Sequence, residues 1–323
     1  MTLSESKLFV QVRKEIRSRK LSYRTEKAYL DWIYRYFVFN NKINPSEMNP
    51  QHLATFLSFL AVKKQVSSST QNQAFHALMF LYRYVLQSPP GKIRYIKVRQ
   101  STYFPKVFTR DEVKLILGKL KGEKWLIASL LYGCGLSLNE CLSLRIQDID
   151  LLNDEIIITD HSSDNLRTLA LPKNLKEVLR KRIELLKYNF MLTGLRNFCG
   201  VSMPVSWSKA IPDASKTFEW YYLFPAKKPS KDRQTGKLRV HHRSEPFIQK
   251  TIRKCLKSCG IMKKASCHTF RHSYAIHLLE SGYDIRVVQQ LLGHKNIRNT
   301  MVYSRIMNQG KVIPKSPLDS LFE

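Results

Sequence analysis

Ser88-Pro89-Pro90-Gly91 stops the regular structure of this chain's first part and opens a linker. Adjacent prolines fix φ and remove backbone donors, so neither a helix nor a central strand can run through them. Before the break, apolar residues recur at helical spacing. Beyond it the pattern is mixed and far longer. A length of 323 residues fits two domains at roughly 100–200 residues each.

Residues 1–88 read as an all-helical domain. Tyr29, Trp32, Ile33, Tyr36 and Phe37 fall on one helix face. Asn49-Pro50 supplies an N-cap and a proline at the first helical position, opening a helix that faces inward with Leu53, Phe56, Leu57, Leu60 and Ala61. Ser67-Ser68-Ser69-Thr70 caps another, carrying Ala74, Leu78, Leu81, Tyr82 and Val85. This periodicity accounts for the aromatic residues as core. Residues 89–107 read as a basic linker in which Lys92, Arg94, Lys97, Arg99 and Lys106 alternate with Tyr95, Tyr103 and Phe104. Lys97 and Arg99 are candidate phosphate contacts.

The second domain, 108–323, opens on a capping box, Thr109 with Glu112. Helical patterns run to about Leu144. The segments 155–159 and 167–171 read as a hairpin with a polar turn at 160–166. A helix follows Pro172 to about Lys187, residues 190–240 read as irregular, and helices resume near Phe247.

The formal charge is +29, from 54 Lys and Arg against 25 Asp and Glu. Such an excess gathers polyanions, and nucleic acid is the expected partner. No run approaches the ~18 apolar residues of a membrane span, and Met1 to Arg13 lack a signal-peptide pattern, so the expectation is a cytoplasmic protein with no membrane partner. Six cysteines without a C-x-x-C pair read as reduced thiols. Cys255, Cys259, Cys267 and His268 do not have the spacing of a zinc site, so no metal is expected.

Chemistry concentrates near the C-terminus, in His268-Thr269-Phe270-Arg271-His272, then Leu292-Gly293-His294, then Thr300-Met301-Val302-Tyr303. A tyrosine hydroxyl can attack a phosphodiester, a guanidinium can hold its growing charge, and imidazoles can move protons. With the two-part layout, the H-x-x-R, L-G-H and T-x-x-Y motifs resemble those of the tyrosine recombinases. Gly200-Val201-Ser202-Met203-Pro204, Phe218-Glu219-Trp220-Tyr221-Tyr222-Leu223-Phe224-Pro225, Arg239-Val240-His241-His242 and the ending Ser316-Pro317-Leu318-Asp319 are similar to integron integrases in particular, which carry an insertion like the one at 190–225.

The resemblance implies a mainly α fold with a small β-sheet: an N-terminal helical, SAM-like core-binding domain and a C-terminal α+β catalytic domain. It implies Tyr303 as nucleophile, forming a 3′-phosphotyrosyl bond, Arg271 on the phosphate, and His268 and His294 in proton transfer and phosphate binding. His272 reads as structural. Because the phosphodiester bond energy is conserved, no cofactor is expected. DNA is the expected partner, as duplex and as folded single-stranded hairpin sites, with a homotetramer assembled on it. Trp220, His241 and His242 are candidates for stacking on unpaired bases.

Two positions depart from the family pattern. Where a catalytic arginine stands in Gly-x-Gly-hydrophobic-Arg, this chain has Gly133-Cys134-Gly135-Leu136-Ser137. Where a hairpin lysine acts as general acid, it has Ser162, with His161 the nearest substitute. Arg145 lies eight residues beyond Ser137, about 12 Å along a helix. A missing donor to the developing charge costs about 10²–10³ in rate, and a missing general acid about 10²–10⁴. The expectation is a recombinase impaired in strand cleavage, or else a non-catalytic relative that occupies recombination sites. An unrelated basic RNA-binding protein would leave the ordered motifs without a purpose.

Overall fold

The computed structural model describes residues 7–19, 21–99, 104–160, 165–194, 199–204, 207, 211–232 and 235–307. The chain forms two compact units, Met1–Tyr103 and Phe104–Glu323.

The first unit is helical throughout. In α1 (Lys7–Ser18), Phe9, Val12 and Ile16 recur at helical spacing and are buried. The next helix, α2 (Tyr23–Phe39), starts where Ser22 accepts a hydrogen bond from Thr25 N, and it buries Trp32, Ile33 and Tyr36. Its buried Glu26 is held by a two-pronged pair with Arg17. Asn49 caps α3 (Pro50–Val62) by accepting from the backbone N–H groups of Gln51 and His52. Ser67 caps α4 (Ser68–Phe80), which passes into a π-helical turn, Leu81–Val85. Leu53, Leu57, Leu78 and Leu81 are fully buried at the centre, each worth about 1.5–3 kcal/mol.

The first part of the basic segment is fastened to this unit. Buried Gln71 donates to Leu57 O and Ile96 O and accepts from Val98 N. Ile96 N donates to Ser58 Oγ. A single side chain thus satisfies two backbone groups of chain that would otherwise be loose and ties them to α3 through Leu57 O. Lys97 and Arg99 stay exposed on it, the Lys97 ammonium lying 5.7 Å from the Tyr95 ring centre.

The second unit opens with α5 (Arg110–Lys119), where the Thr109–Glu112 capping box is formed in both directions. Next, α6 (Gly122–Gly133) is buried from Leu126 through Leu131 and packs against the later helix α10 (Cys267–Glu280). After α7 (Leu138–Ser143) comes an antiparallel sheet in the order β1 (Ile149–Asp150), β2 (Glu155–Asp160), β3 (Asn165–Ala170). The hairpin register sets Ile158 opposite Arg167 and reaches Asp160 opposite Asn165. Pairing therefore extends further toward the turn than the polar run 160–166 suggested. The remaining turn positions, His161 and Ser162 among them, lie outside the described residues.

Similarly, α8 (Lys173–Gly194) outruns the expected end near Lys187, because no proline or glycine interrupts it before Gly194. Its Phe190 ring packs edge-on against Phe218 and Tyr221. The irregular segment beyond builds core with little regular structure: Tyr221, Tyr222, Leu223 and Phe224 are all buried. It is tied down by bridges pairing Arg145 with Tyr222, Val201 with Val240 and Pro225 with His242, and by a small ribbon of β4 (Ser230–Lys231) and β5 (Leu238–Arg239). Helices α9 (Glu245–Ser258), α11 (Ile285–Leu292) and α12 (Arg298–Met307) complete the unit. Among the described residues no helix is long and apolar enough to cross a membrane.

Candidate active site

Helix α10 places His268, Arg271 and His272 within its first two turns, at the three- and four-residue spacings that share a face. Its neighbours then give each side chain a distinct environment. Arg271 is largely buried, and Nη1 donates to Gly135 O at 2.9 Å and to Glu140 Oε2 at 3.0 Å. Nη2 donates to Leu292 O at 2.5 Å. Burial pulls the guanidinium pKa below its ordinary value, against the pull of Glu140 in the other direction. Gly135 makes this approach possible: its φ is +62°, and a Cβ there would collide with the Tyr274 ring.

Glu140 organises the cluster. Its Oε2 also accepts from Ser137 N at 2.7 Å, and its Oε1 accepts from Arg167 Nη1 at 2.8 Å. Burial alone would raise the carboxyl pKa, but the Arg167 hydrogen bond, the charges of Arg167 and Arg271 and the Ser137 amide bring it down to about 2. Ser137 is the N-cap of α7, its hydroxyl accepting from Glu140 N at 3.3 Å. The residue at the expected arginine position is thus committed to capping and carries no charge. Arg145 is buried elsewhere, donating to Trp220 O and Ser202 O and lying 4.9 and 4.4 Å from the Trp220 and Tyr222 ring centres.

Tyr303 is 3 % exposed. Its hydroxyl shares a 2.8 Å hydrogen bond with His272 Nδ1. Burial raises the phenol pKa, while Arg271 lowers it. The T-x-x-Y spacing sets Thr300 on the same face of α12, where its fully buried hydroxyl meets His294 Nδ1 at 2.9 Å. His294 follows Gly293, which ends α11 in the left-handed conformation at φ 66°. The His294 and Tyr303 rings lie 17° from parallel with centres 6.5 Å apart. His268 is exposed at the start of α10. The structure therefore gathers Arg271, His272, His294 and Tyr303 with Glu140 and Arg167, leaves His268 at the rim, and sets Ser137 behind Glu140.

His272 and His294 both have pKa values lowered to about 4, first by burial, then by their charged neighbours. Both are neutral at neutral pH. In the unfolded chain they titrate near 6.5, so as pH falls below 6.5 the unfolded state takes up protons first. Stability is complete above that pH and declines toward pH 4. Asp148, pushed up to about 6 by burial, opposes the trend below pH 6. We expect unfolding free energy to drop on the order of 2 kcal/mol between pH 6.5 and 5. Denaturant titrations at both pH values check this, and the drop should shrink in a His272→Gln variant; equal stability at both pH values would contradict it.

Of the residues considered for base stacking, Trp220 lines a pocket with Trp207, Arg145 and Glu140. Trp220 is 7 % exposed, with one ring neighbour in the Arg145 guanidinium and another in Trp207, 5.4 Å between centres. Trp207 is the exposed indole, at 38 %. His241 Nε2 lies 3.9 Å from Asp232 Oδ2, and His242 Nδ1 is 2.7 Å from Arg243 O, its ring edge toward Tyr222.

Sequence reasoning did not give roles to Glu140, Arg167 and Thr300, and it read His272 as structural. Each carries a signal in the sequence: Glu140 in the capping box after Ser137, Arg167 on the hairpin flank, Thr300 in the T-x-x-Y spacing. Their convergence is a tertiary fact, since Glu140 and Arg271 are 131 residues apart.

Residues 8–91 match the model of the phage integrase N-terminal SAM-like domain, and residues 106–309 match that of the phage integrase family. An integrase/recombinase of Escherichia coli is 36% identical over 320 residues, 99% of this chain and 95% of the relative. Two solved structures share the fold. XerH site-specific recombinase, bound to its palindromic difH substrate in a post-cleavage complex, has a TM-score of 0.60 at 17% identity, covering 93% of this chain and 82% of its own. The Tn1549 transposon integrase, in complex with transposon right-end DNA, has a TM-score of 0.60 at 14% identity, covering 97% and 96%. The chain belongs to the phage integrase family, the tyrosine recombinases.

Proposed function

We propose that this chain is a site-specific DNA recombinase of the integron-integrase type whose strand cleavage is slow. The observation that carries the reading is the Tyr303 hydroxyl, hydrogen-bonded to a neutral imidazole and set beside Arg271 and His294. Tyr303 Oη attacks the scissile phosphorus, a 3′-phosphotyrosyl bond forms, and the bond to the 5′-oxygen breaks. With its ring proton on Nε2, His272 Nδ1 accepts the phenolic proton. The incoming phosphate charge favours the imidazolium that results. Arg271 turns its fork from the Leu292 carbonyl to two non-bridging oxygens. Thr300 orients His294, leaving its other nitrogen for the phosphate, and His268 at the rim assists proton transfer.

The slow step follows from what is absent. Ser137 offers no charge, and Ser162 is too weak an acid to protonate the departing 5′-oxygen, which His161 or water must then do. The alternative, a relative that binds sites without cleaving, is favoured by the Arg271 fork being fully engaged with Gly135, Glu140 and Leu292. A nicked suicide duplex separates the two. A Tyr303-linked adduct that accumulates slowly supports the recombinase, and none after prolonged incubation supports the binder.

DNA affinity comes mainly from the +29 charge, with Lys97 and Arg99 on the backbone. Folded hairpin sites add unpaired bases, and assembly on two sites makes a homotetramer. Trp207 has the free indole face for such a base, with Trp220 beneath it and His241 and His242 in the same segment. Trp207→Ala is expected to weaken hairpin binding more than plain duplex binding, by a factor equivalent to about 1–3 kcal/mol of lost stacking. Trp220→Ala should instead destabilise the fold by about 3–5 kcal/mol. Gel-shift titrations with both DNAs, alongside melting curves, check the pair. Equal loss on hairpin and duplex from Trp207→Ala would remove it from base recognition.

A further inference from the structure

Arg167 is an arginine without enough partners. Of its five N–H donors, the Nη1 group alone is paired, to Glu140 Oε1. Its Nε and Nη2 atoms are buried with no hydrogen-bond partner among the described residues. Buried donors left in this way carry the full cost of lost hydration, which a protein tolerates where a ligand will satisfy them. The guanidinium is fixed by two constraints. Its Cα is set by the register of β3 opposite Ile158. Its Nη1 lies where a Cβ on Gly293 would stand, so the glycine before His294 also makes room for it.

The surroundings name the class of ligand. A pocket of about 690 Å³ is lined by Arg167, Glu140, Gly293, His294, Lys295 and Arg286. Two guanidinium groups, Arg167 and Arg271, share the single Glu140 carboxylate, so one positive charge stands uncompensated before Arg286 at the pocket wall is counted. An anion balances this. The location is also telling. Arg167 Nη1 and Ser137 N approach opposite oxygens of the same carboxylate, at 2.8 and 2.7 Å. The Arg167 guanidinium thus lies across one carboxylate from the position where the family keeps an arginine.

We infer that Arg167 supplies the second guanidinium missing at position 137, turning its unpartnered Nε and Nη2 edge onto a non-bridging oxygen of the scissile phosphate while Glu140 holds Nη1. This rests on the reading of the Tyr303 cluster as a phosphodiester site. It explains how a chain with serine at position 137 retains cleavage chemistry at all. Arg167 comes from the hairpin strand, so hairpin and phosphate become coupled.

Two measurements on the full chain test it. In the first, melting is followed with inorganic phosphate against chloride at matched ionic strength. The parent should gain stability with phosphate, Arg167→Gln should lose most of that gain, and exposed Arg180→Gln should keep it. An undiminished gain in Arg167→Gln overturns the proposal. In the second, adduct formation on a suicide duplex is timed in four proteins: parent, Arg167→Gln, Ser137→Arg and the double variant. Arg167→Gln should slow the parent about 10²-fold, but should slow the Ser137→Arg protein less than about tenfold, because the two arginines then serve one phosphate. The same factor in both backgrounds would mean that Arg167 merely positions Glu140, and would overturn the proposal. Arg167→Lys retains the charge and should recover part of the parent rate even if the glutamine variant folds poorly; a lysine variant no better than glutamine counts against a phosphate contact. Should no variant form an adduct while the phosphate effect still depends on Arg167, the phosphate contact of Arg167 stands, and its part in cleavage falls with the nucleophile reading.

Discussion

Restoring the two departed groups, Ser137→Arg together with Ser162→Lys, is expected to accelerate covalent capture of nicked DNA by roughly 10⁴–10⁷ if the two act independently. The arginine contributes about 10²–10³ as a donor to the developing charge. The lysine contributes about 10²–10⁴ as general acid to the 5′-oxygen. The site is prepared for the first change: Glu140 already accepts from the backbone amide of residue 137, an interaction that survives the substitution. What is lost is the Ser137 hydroxyl cap on α7, costing about 1 kcal/mol. The variant should therefore be faster and slightly less stable, an unusual pairing that general improvement of folding would not produce. If Arg167 already serves the phosphate, the arginine's share falls about tenfold or more below that range. Single-turnover adduct assays on each single variant and the pair measure these factors, and a rate unchanged by both substitutions would place the defect elsewhere.

Tyr303→Phe is expected to remove the adduct altogether while leaving both fold and DNA binding close to the parent. The ring packs with Ala275, Ile276, Val288 and Leu292, contacts that phenylalanine keeps. The hydroxyl's one described hydrogen bond is to His272, and leaving that imidazole unpaired costs about 1–3 kcal/mol. Affinity for duplex DNA, set mainly by the net charge of +29, should be unchanged. Retained binding with no adduct assigns the nucleophile; an adduct persisting in Tyr303→Phe would transfer that role to another side chain.

The sequence carried much of this in legible form. The proline pair separated a helical part from a mixed one, because backbone chemistry at Pro89-Pro90 allows nothing regular to pass. Caps at Asn49, Ser67 and Thr109 form as local rules require. The ordered motifs around Arg271, His294 and Tyr303 converge in space. Local reading failed where the contact is between distant segments. Nothing near Arg167 says that it will meet Glu140, and nothing near Trp220 says that Arg145 will lie against its ring. The segment 190–240 reads as irregular; its first residues continue α8 to Gly194, and beyond them Leu223 and Phe224 are fully buried with little regular structure around them. Periodicity cannot report burial where there is no regular element to set a period. His272 was legible only as a neighbour of Arg271, since its meaning depends on where α12 returns the chain.

We propose that Tyr303 is a nucleophile in a site where serine stands at the family's arginine and lysine positions, Ser137 and Ser162. The most direct test is the single-turnover rate at which the unaltered chain joins a nicked suicide duplex, with the linked residue located by peptide mapping. The expected result is an adduct on Tyr303 that forms at least about 10²-fold more slowly than in the Ser137→Arg, Ser162→Lys protein, the share of the general acid alone. An unaltered chain that forms the Tyr303 adduct as fast as the restored protein would contradict it.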